Sequence, residues 1–447
     1  MSELERRDSA GKPYVAIYNL GCKVNQYEAE ALAQDFRENG YRVVDFSQKA
    51  DIYIINSCAV TTSAASKSRK VARRAKRRGG EESIVIMAGC YSQVSPEEVE
   101  EIEEIDHIIG SEKKDELVDI VGDISREEDW LAGRSDYEEM DSFPRFSLER
   151  VRSRTRANIK IQDGCDQFCS YCIIPYARGR KRSRSTDSVV EEVRNLIEND
   201  VKEFVLTGIH LGAYGEDFAG DDEDHLTRLL QKLLTLEGDF RLRLSSIEAK
   251  EITEGLVELM RENDRLCSHL HLPLQSGSDK ILKRMNRPYT TRDFKEQVSS
   301  VRKEIPEIAI STDVMVGFPG ETDEDFVRTL QLVRDIGFSR LHVFSYSRRE
   351  GTRAAGMDDQ IDDSVKKARS EELRKLARKL QADYEEKFLQ RELEVLLESR
   401  RDDGSFAGYS QNYIRVKVES TQELANTFQN VKLKEIKRGS ENPAGLV

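Results

Sequence analysis

Cys165, Cys169 and Cys172 stand within eight residues in the run KIQDGCDQFCSYCIIPYARGRKRSR. The spacing is C-x3-C-x2-C, between a strand-like run and a basic stretch. Thiolates are soft ligands suited to iron–sulfur clusters. Three of them can hold three irons of a [4Fe–4S] cube and leave the fourth iron open to a small molecule. A zinc knuckle is the competing reading. Structural zinc closes its site with four ligands, and no fourth Cys or His lies nearby, the nearest downstream histidine being His210. The pattern favours the cluster.

Three more cysteines, Cys22, Cys58 and Cys90, are far apart in sequence but alike in setting. Each follows at once on an apolar run: YVAIYNL, DIYIINS and SIVIMAG. Such runs read as buried parallel strands. In open parallel sheets, ligand sites lie beyond the carboxyl ends of the strands. The three cysteines are therefore expected at one edge, as a second cluster site. The bland alternative is three buried, unliganded thiols, since free Cys is often buried. Cys267 lies in or before a later strand and reads as an ordinary buried thiol.

The elements that must position these residues alternate β and α. Helical stretches near 27–39 and 63–78 separate the first three strands, and DHIIG adds a fourth. This implies a doubly wound parallel sheet. A charged segment near 136–156 reads as a linker. Beyond it RANIKIQDG, EFVLTG, FRLRLSS, SHLHLPL, IAISTDVMVGF and RLHVFSYS read as six strands, with helical stretches between them. Six β/α units suggest an incomplete parallel barrel, open on one side, with chemistry at the C-terminal strand ends. A long charged helix pattern runs over 362–397, and the remaining tail reads as a small β-barrel, a shape that often binds nucleic acid. The expected fold class is α/β. Its expected domains are residues 1–140 with the three dispersed cysteines, 141–388 with the barrel, and 389–447 with the small barrel.

Size and charge fit a large enzyme of the cytoplasm. The chain has 447 residues and seven cysteines. An odd cysteine number reads as reduced ligands rather than a disulfide framework. No apolar run approaches the roughly 20 residues needed to span a bilayer, and the charged N-terminus has no signal segment. The net charge is −13, yet residues 91–142 alone hold 19 acidic and 4 basic side chains. The remainder is slightly positive. Basic residues cluster in Ser66–Arg78 and in Arg145–Arg184. Such patches can neutralise phosphates whatever the global charge, although a helical charge run is more often a wet face.

The motifs NLGCKVNQYEAE, INSCAVT, AGCYSQ, GCDQFCSYCIIPYARG, HLPLQSGSDKILKRMNRPYT, TDVMVGFPGETDEDF and FSYSRREGTRA resemble those of the methylthiotransferases, a radical S-adenosylmethionine (SAM) family, over essentially the whole chain. The tail resembles the TRAM domain that closes these enzymes. CIIPYARGRKRSR, TGIHLGAYG and RLSSIEAKEI look most like the branch acting on N6-threonylcarbamoyladenosine beside the anticodon of tRNA.

The resemblance implies two [4Fe–4S] clusters. One, on Cys165, Cys169 and Cys172, binds and cleaves SAM to a 5′-deoxyadenosyl radical that abstracts hydrogen from carbon 2 of the adenine. The other, on Cys22, Cys58 and Cys90, presents the sulfur. It also implies a tRNA partner engaged at its anticodon loop, an external electron donor and a sulfur source. Tyr171 is then expected near the SAM adenine, Gly208 near the SAM amino group, Glu248 within reach of SAM or substrate, and His271 and Gln275 on the pocket wall. Each has a plainer reading: loop packing, a tight turn, a surface carboxylate, a structural histidine. Two other readings stand: a methylthiotransferase for isopentenyl-type adenosine or a ribosomal protein, and a non-catalytic iron–sulfur RNA-binding protein.

Overall fold

The computed structural model describes residues 13–123, 130–132, 140, 142–149, 155–219, 224–436 and 445–446. It divides into two compact units. The first comprises residues 1–152, 162–184 and 347–355, and the second residues 153–161, 185–346 and 356–447.

In the first unit the apolar runs become strands. They are β1 (Tyr14–Asn19), β2 (Arg42–Val44), β3 (Ile52–Ser57), β4 (Ile84–Gly89), β5 (His107–Ile109) and β6 (Trp130–Ala132). All pair in parallel, in the order β2-β1-β3-β4-β5-β6. β3 is buried at every position, as a central strand covered on both faces must be. The helices are α1 (Lys23–Glu38), α2 (Thr62–Gly79), α3 (Cys90–Val94), α4 (Pro96–Glu100) and α5 (Leu117–Asp123). α1 starts directly after Cys22, four residues earlier than its apolar periodicity suggests. Strand order reverses between β1 and β3, and such a switch point opens a crevice at the carboxyl edge. The segment 162–184 adds a two-stranded ribbon and the short helix that follows the clustered cysteines.

The second unit begins with β7 (Arg156–Lys160); the ribbon just mentioned is β8 (Gln162–Asp163) with β9 (Arg182–Ser183), and its helix is α6 (Ile174–Arg178). β10 (Glu203–Thr207), β11 (Arg241–Leu244), β12 (His269–His271), β13 (Ala309–Val316) and β14 (Arg340–Ser345) follow. β7, β10 and β11 form one parallel sheet, and β12, β13 and β14 another. Bridges Leu242–Leu266 and Ser246–His271 join them. Six parallel strands thus run in order, and no pairing joins β14 to β7 among the described residues. This is the open barrel expected. Its helices are α7 (Thr186–Glu198), α8 (His225–Leu234), α9 (Glu254–Glu262), α10 (Asp279–Arg284), α11 (Thr291–Glu304) and α12 (Asp323–Ile336). Thr290 and Thr322 start α11 and α12 with reciprocal capping boxes, which satisfy first-turn N–H groups.

The helix pattern over 362–397 is cut short. α13 (Asp363–Glu385) ends in a 3-10 turn, and β15 (Glu392–Arg400) begins soon after. β15 joins β16 (Phe406–Ser410), β17 (Arg415–Val418), β18 (Thr427–Lys432) and β19 (Gly445–Leu446) in one sheet, ordered β18-β15-β16-β17-β19. Charged residues at alternate positions of β15 imitate a helix face. Val395 and Leu397 are instead buried with Phe406, Val416 and Val431, and Leu396 between them is buried too.

The tail also seals the barrel floor. Glu203 is fully buried and receives Arg156, Arg241 and Arg243. Arg241 donates to the carbonyl of Tyr409, and Arg243 to those of Ser410 and Gln411. The Arg243 guanidinium lies 4.4 Å from the Tyr413 ring centroid. No helix among the described residues is long and apolar enough to cross a membrane.

Candidate active site

The register of the first sheet brings Cys22, Cys58 and Cys90 together. Asn19 pairs with Asn56 and Ser57 with Gly89, so the strand ends preceding the three cysteines lie level on adjacent strands. Gly21 permits the closest approach. Its φ is +111°, and a Cβ there would stand 2.9 Å from Cys58 Cβ and 3.0 Å from Cys58 Sγ. Asn25 ties the loops from beneath: its Nδ2 donates to the carbonyls of Leu20 (2.7 Å) and Ser57 (2.9 Å). Cys58 and Cys90 are buried, whereas Cys22 keeps exposed surface. Burial pushes the Cys58 thiol up to about 11, reinforced by Cys90 and Cys22 and opposed by Arg178. Burial likewise raises Cys22, with Arg178 opposing. Burial thus favours the neutral thiol at Cys22 and Cys58, and ligation by a metal group is what deprotonates such sulfur.

The clustered cysteines sit in the same unit. Cys169 is buried, and Cys165 and Cys172 are half-buried. The loop is closed by Cys165 N–H to Gly179 O (3.1 Å) and Cys172 N–H to Cys169 O (2.9 Å). Gly164 has φ +70°, and a Cβ there would come 1.8 Å from the Arg180 carbonyl oxygen. Phe168 adopts φ +46°, an uncommon conformation for an aromatic residue. It turns the chain between the first two cysteines. Ala354 N–H donates to Ser170 O (2.7 Å). Tyr171 is half-buried beside Cys172.

The donor sets fit clusters better than single ions. A zinc ion at about 2.3 Å from each sulfur holds them roughly 3.8 Å apart. Among the described residues, one group of three or more His, Cys, Asp or Glu has its ligand atoms all within 4.8 Å of one another, and it is His271, Asp313 and His342. Neither cysteine triad is so compact. Three thiols set wider apart match a cube that interposes several irons and sulfides.

A buried polar hub links the two cysteine sites within this unit. Arg178, on α6, donates to Glu28 Oε1 (2.8 Å), Asp163 Oδ1 (3.1 Å) and the side-chain oxygen of Asn25. Lys114 also pairs with Glu28. Ala59, Cys90, Ile173 and Ala177 form one small apolar cluster. Sequence reasoning missed this hub. Its signals were a glutamate on the buried face of α1 and an arginine directly after the clustered cysteines.

In the second unit, Gly208, Glu248 and Gln275 follow the C-terminal ends of β10, β11 and β12. Glu248 is occupied: it closes a capping box over residues 249–251 and pairs with buried Arg287. The plainer reading of a surface carboxylate is thus corrected, because Glu248 is a buried, paired one. Gln275 takes φ +64°, with its N–H on the Asp313 carbonyl (2.8 Å). His271 meets Asp313 and His342, which sequence reasoning did not single out. His271 Nε2 and His342 Nδ1 each stand 3.2 Å from Asp313 Oδ1, and His271 Nδ1 is 2.9 Å from Ser311 Oγ. Burial opposes the Asp313 charge, yet hydrogen bonds from His271 and His342 hold its pKa below the ordinary carboxylate range. Ser311 and Asp313 share a strand face, since side chains alternate. Cys267 is fully buried with its thiol pKa raised by burial, as expected for an unliganded thiol.

The Radical SAM superfamily model matches residues 159–333, and a model described as Uncharacterized protein family UPF0004 matches residues 14–110. The chain is 41% identical over 424 residues to threonylcarbamoyladenosine tRNA methylthiotransferase MtaB of Bacillus subtilis, covering 94% of this chain and 93% of that one. The Thermotoga maritima MtaB is 38% identical, covering 94% of each. A tRNA-2-methylthio-N(6)-dimethylallyladenosine synthase of Thermoanaerobacter is 34% identical, covering 98% of this chain and 93% of that one. Among solved structures, the radical SAM methyltransferase TsrM of Kitasatospora setae superposes with a TM-score of 0.59 over 77% of each chain at 16% identity, a likeness of fold. Two wide thiol triads, an open six-stranded barrel and relatives matched over nearly their full length lead to one conclusion: the chain belongs to the methylthiotransferases of the radical SAM superfamily.

Proposed function

We propose that this methylthiotransferase acts on tRNA and adds a methylthio group to carbon 2 of N6-threonylcarbamoyladenosine beside the anticodon. The observation that carries the reading is the presence of two separate three-thiol sites in one compact unit. Cys165, Cys169 and Cys172 hold one [4Fe–4S] group, and Cys22, Cys58 and Cys90 hold the other. When bound, the first supplies the electron that cleaves SAM and the second supplies the sulfur. The substrate class rests on the branch-like motifs and on the higher identity to the threonylcarbamoyladenosine enzymes than to the dimethylallyladenosine enzyme.

The chain's own groups bind and orient. Tyr171 offers a ring beside the cluster loop for the adenine of SAM. Gly208 offers backbone after β10, and Gln275 a side chain after β12. Arg287 holds Glu248 in place, so Glu248 acts by fixing the loop after β11. Ionised Asp313 orients the imidazoles of His271 and His342 and sets their tautomers, as a carboxylate partner does. These groups line the barrel wall with donors and acceptors that a polar threonylcarbamoyl substituent can use and an isopentenyl group cannot. The hydrogen at carbon 2 is not acidic, so no side chain serves as its base. Six ligand thiols need a reducing compartment, and the cytoplasm is the proposed place of work.

Nucleoside mass spectrometry of tRNA from a strain lacking the gene tests the substrate. Loss of the 2-methylthio group from threonylcarbamoyladenosine, with accumulation of the unthiolated nucleoside, is expected. Loss from isopentenyladenosine, or from a ribosomal protein, would instead assign the chain to another branch.

A further inference from the structure

Arg178 is among the largest fully buried side chains of the protein. Its terminal nitrogens are spent on Glu28, Asp163 and Asn25. Its Nε is also buried but has no hydrogen-bond partner. A buried donor left unpaired is costly, so an N–H in this position calls for an acceptor that the polypeptide does not provide. Its neighbours belong to the loops of the dispersed cysteines. Asn25, which Arg178 holds, braces the carbonyls before Cys22 and Cys58. Ala177 on α6, which carries Arg178, and Ile173 just before it pack with Cys90.

We propose that Arg178 is a positioning residue for the iron–sulfur group on Cys22, Cys58 and Cys90, donating its Nε–H to sulfur there and placing a fixed cation beside it. The proposal rests on the reading of that triad as a cluster site. Burial works against the guanidinium charge, but Glu28 and Asp163 lie against it at 2.8 and 3.1 Å, and an arginine keeps its proton in proteins. Hydrogen bonds to sulfur and nearby charge are the levers by which a protein sets cluster potential. A permanent positive charge stabilises the reduced, more negative state and steadies sulfur that must leave the cluster. Because Arg178 lies six residues after Cys172, the same side chain ties the loop that cleaves SAM to the loops that present sulfur.

Without Arg178, Glu28 keeps Lys114, and Asp163 keeps Arg182 at 3.4 Å. The test uses full-length, anaerobically reconstituted protein carrying alanine at Cys165, Cys169 and Cys172, so that one cluster is read by EPR during a redox titration. Arg178→Met should lower the potential, seen as an about tenfold smaller reduced fraction at a fixed poise. Arg178→Lys, which keeps the charge, should recover most of it. Arg178→Met with Glu28→Gln, which removes a carboxylate with the cation, should show the same spectral change in the EPR signal as Arg178→Met, because the Nε–H is lost in both. In the otherwise native chain, Arg178→Met should raise 5′-deoxyadenosine formed per methylthio product about tenfold. If the parent protein holds the cluster and Arg178→Met changes neither potential nor spectrum, the proposal falls while the cluster reading stands. If the parent holds no cluster on Cys22, Cys58 and Cys90, both fall together.

Discussion

At the scale of single residues, the two cysteine triads should separate on mutation. Cys169→Ala should abolish both 5′-deoxyadenosine and product. Cys58→Ala should retain SAM cleavage yet give no methylthio product, and each variant should lose about half the iron if each triad holds one cube. Iron assay with product analysis checks this, and normal sulfur insertion by Cys58→Ala would refute it. The six cysteines were readable from sequence because their signals are local: a tight spacing in one case, a repeated strand-then-cysteine setting in the other. Arg178, Glu28 and Asn25 were not. Their meaning comes from contacts across some 150 residues of chain, and no periodicity encodes a pairing at that range. Asp313 was missed for a different reason. In ISTDVMVGF it reads as an interruption of a buried strand, until neighbouring strands supply His271 and His342.

At the scale of elements, the end of α13 carries a consequence for stability. Burial pushes Glu385 up to about 7, against the opposing hydrogen bond from Gln381 and the charge of Arg340. The unfolded chain releases this proton near the ordinary value of 4.5. The neutral carboxyl therefore contributes its full stability below about pH 4.5, and that contribution is lost as pH rises through 7. Glu385→Gln, neutral at every pH, should remove the loss. Denaturant unfolding of the apo-protein should show the variant more stable than wild type at pH 8, by at most roughly 3 kcal/mol, and nearly equal to it at pH 4.5. A constant difference across pH would refute the assignment. The element map itself was largely legible, since all ten expected strands of the first sheet and barrel form. The border between α13 and β15 was not, because alternating charged residues satisfy helix and strand periods alike until burial decides.

At the scale of the whole molecule, affinity for a tRNA should come mainly from phosphates. The basic helix α2 offers fewer free charges than its sequence suggests. Arg69 pairs with Glu98, Arg73 with Glu104 and Lys76 with Asp106, while Arg74 lies over the Tyr18 and Phe46 rings. Lys67, Lys70 and Arg77 stay exposed there, as do Lys432 and Lys434 on the tail; the tail residues Lys437 and Arg438 lie outside the described residues. Reversing the charge of Lys432 and Lys434 should weaken tRNA binding roughly tenfold and flatten its salt slope by about 0.7–0.9 per lost phosphate contact. Binding across a salt series decides, and an unchanged slope would leave the tail a purely structural role. That structural role has its own consequence. With Glu203, Arg241 and Arg243 buried beneath Tyr409–Tyr413, the tail shields a carboxylate and the guanidinium groups around it from water. Cutting the tail away would leave those arginines without the carbonyls they donate to, so a truncated chain should lose barrel stability as well as any RNA contact.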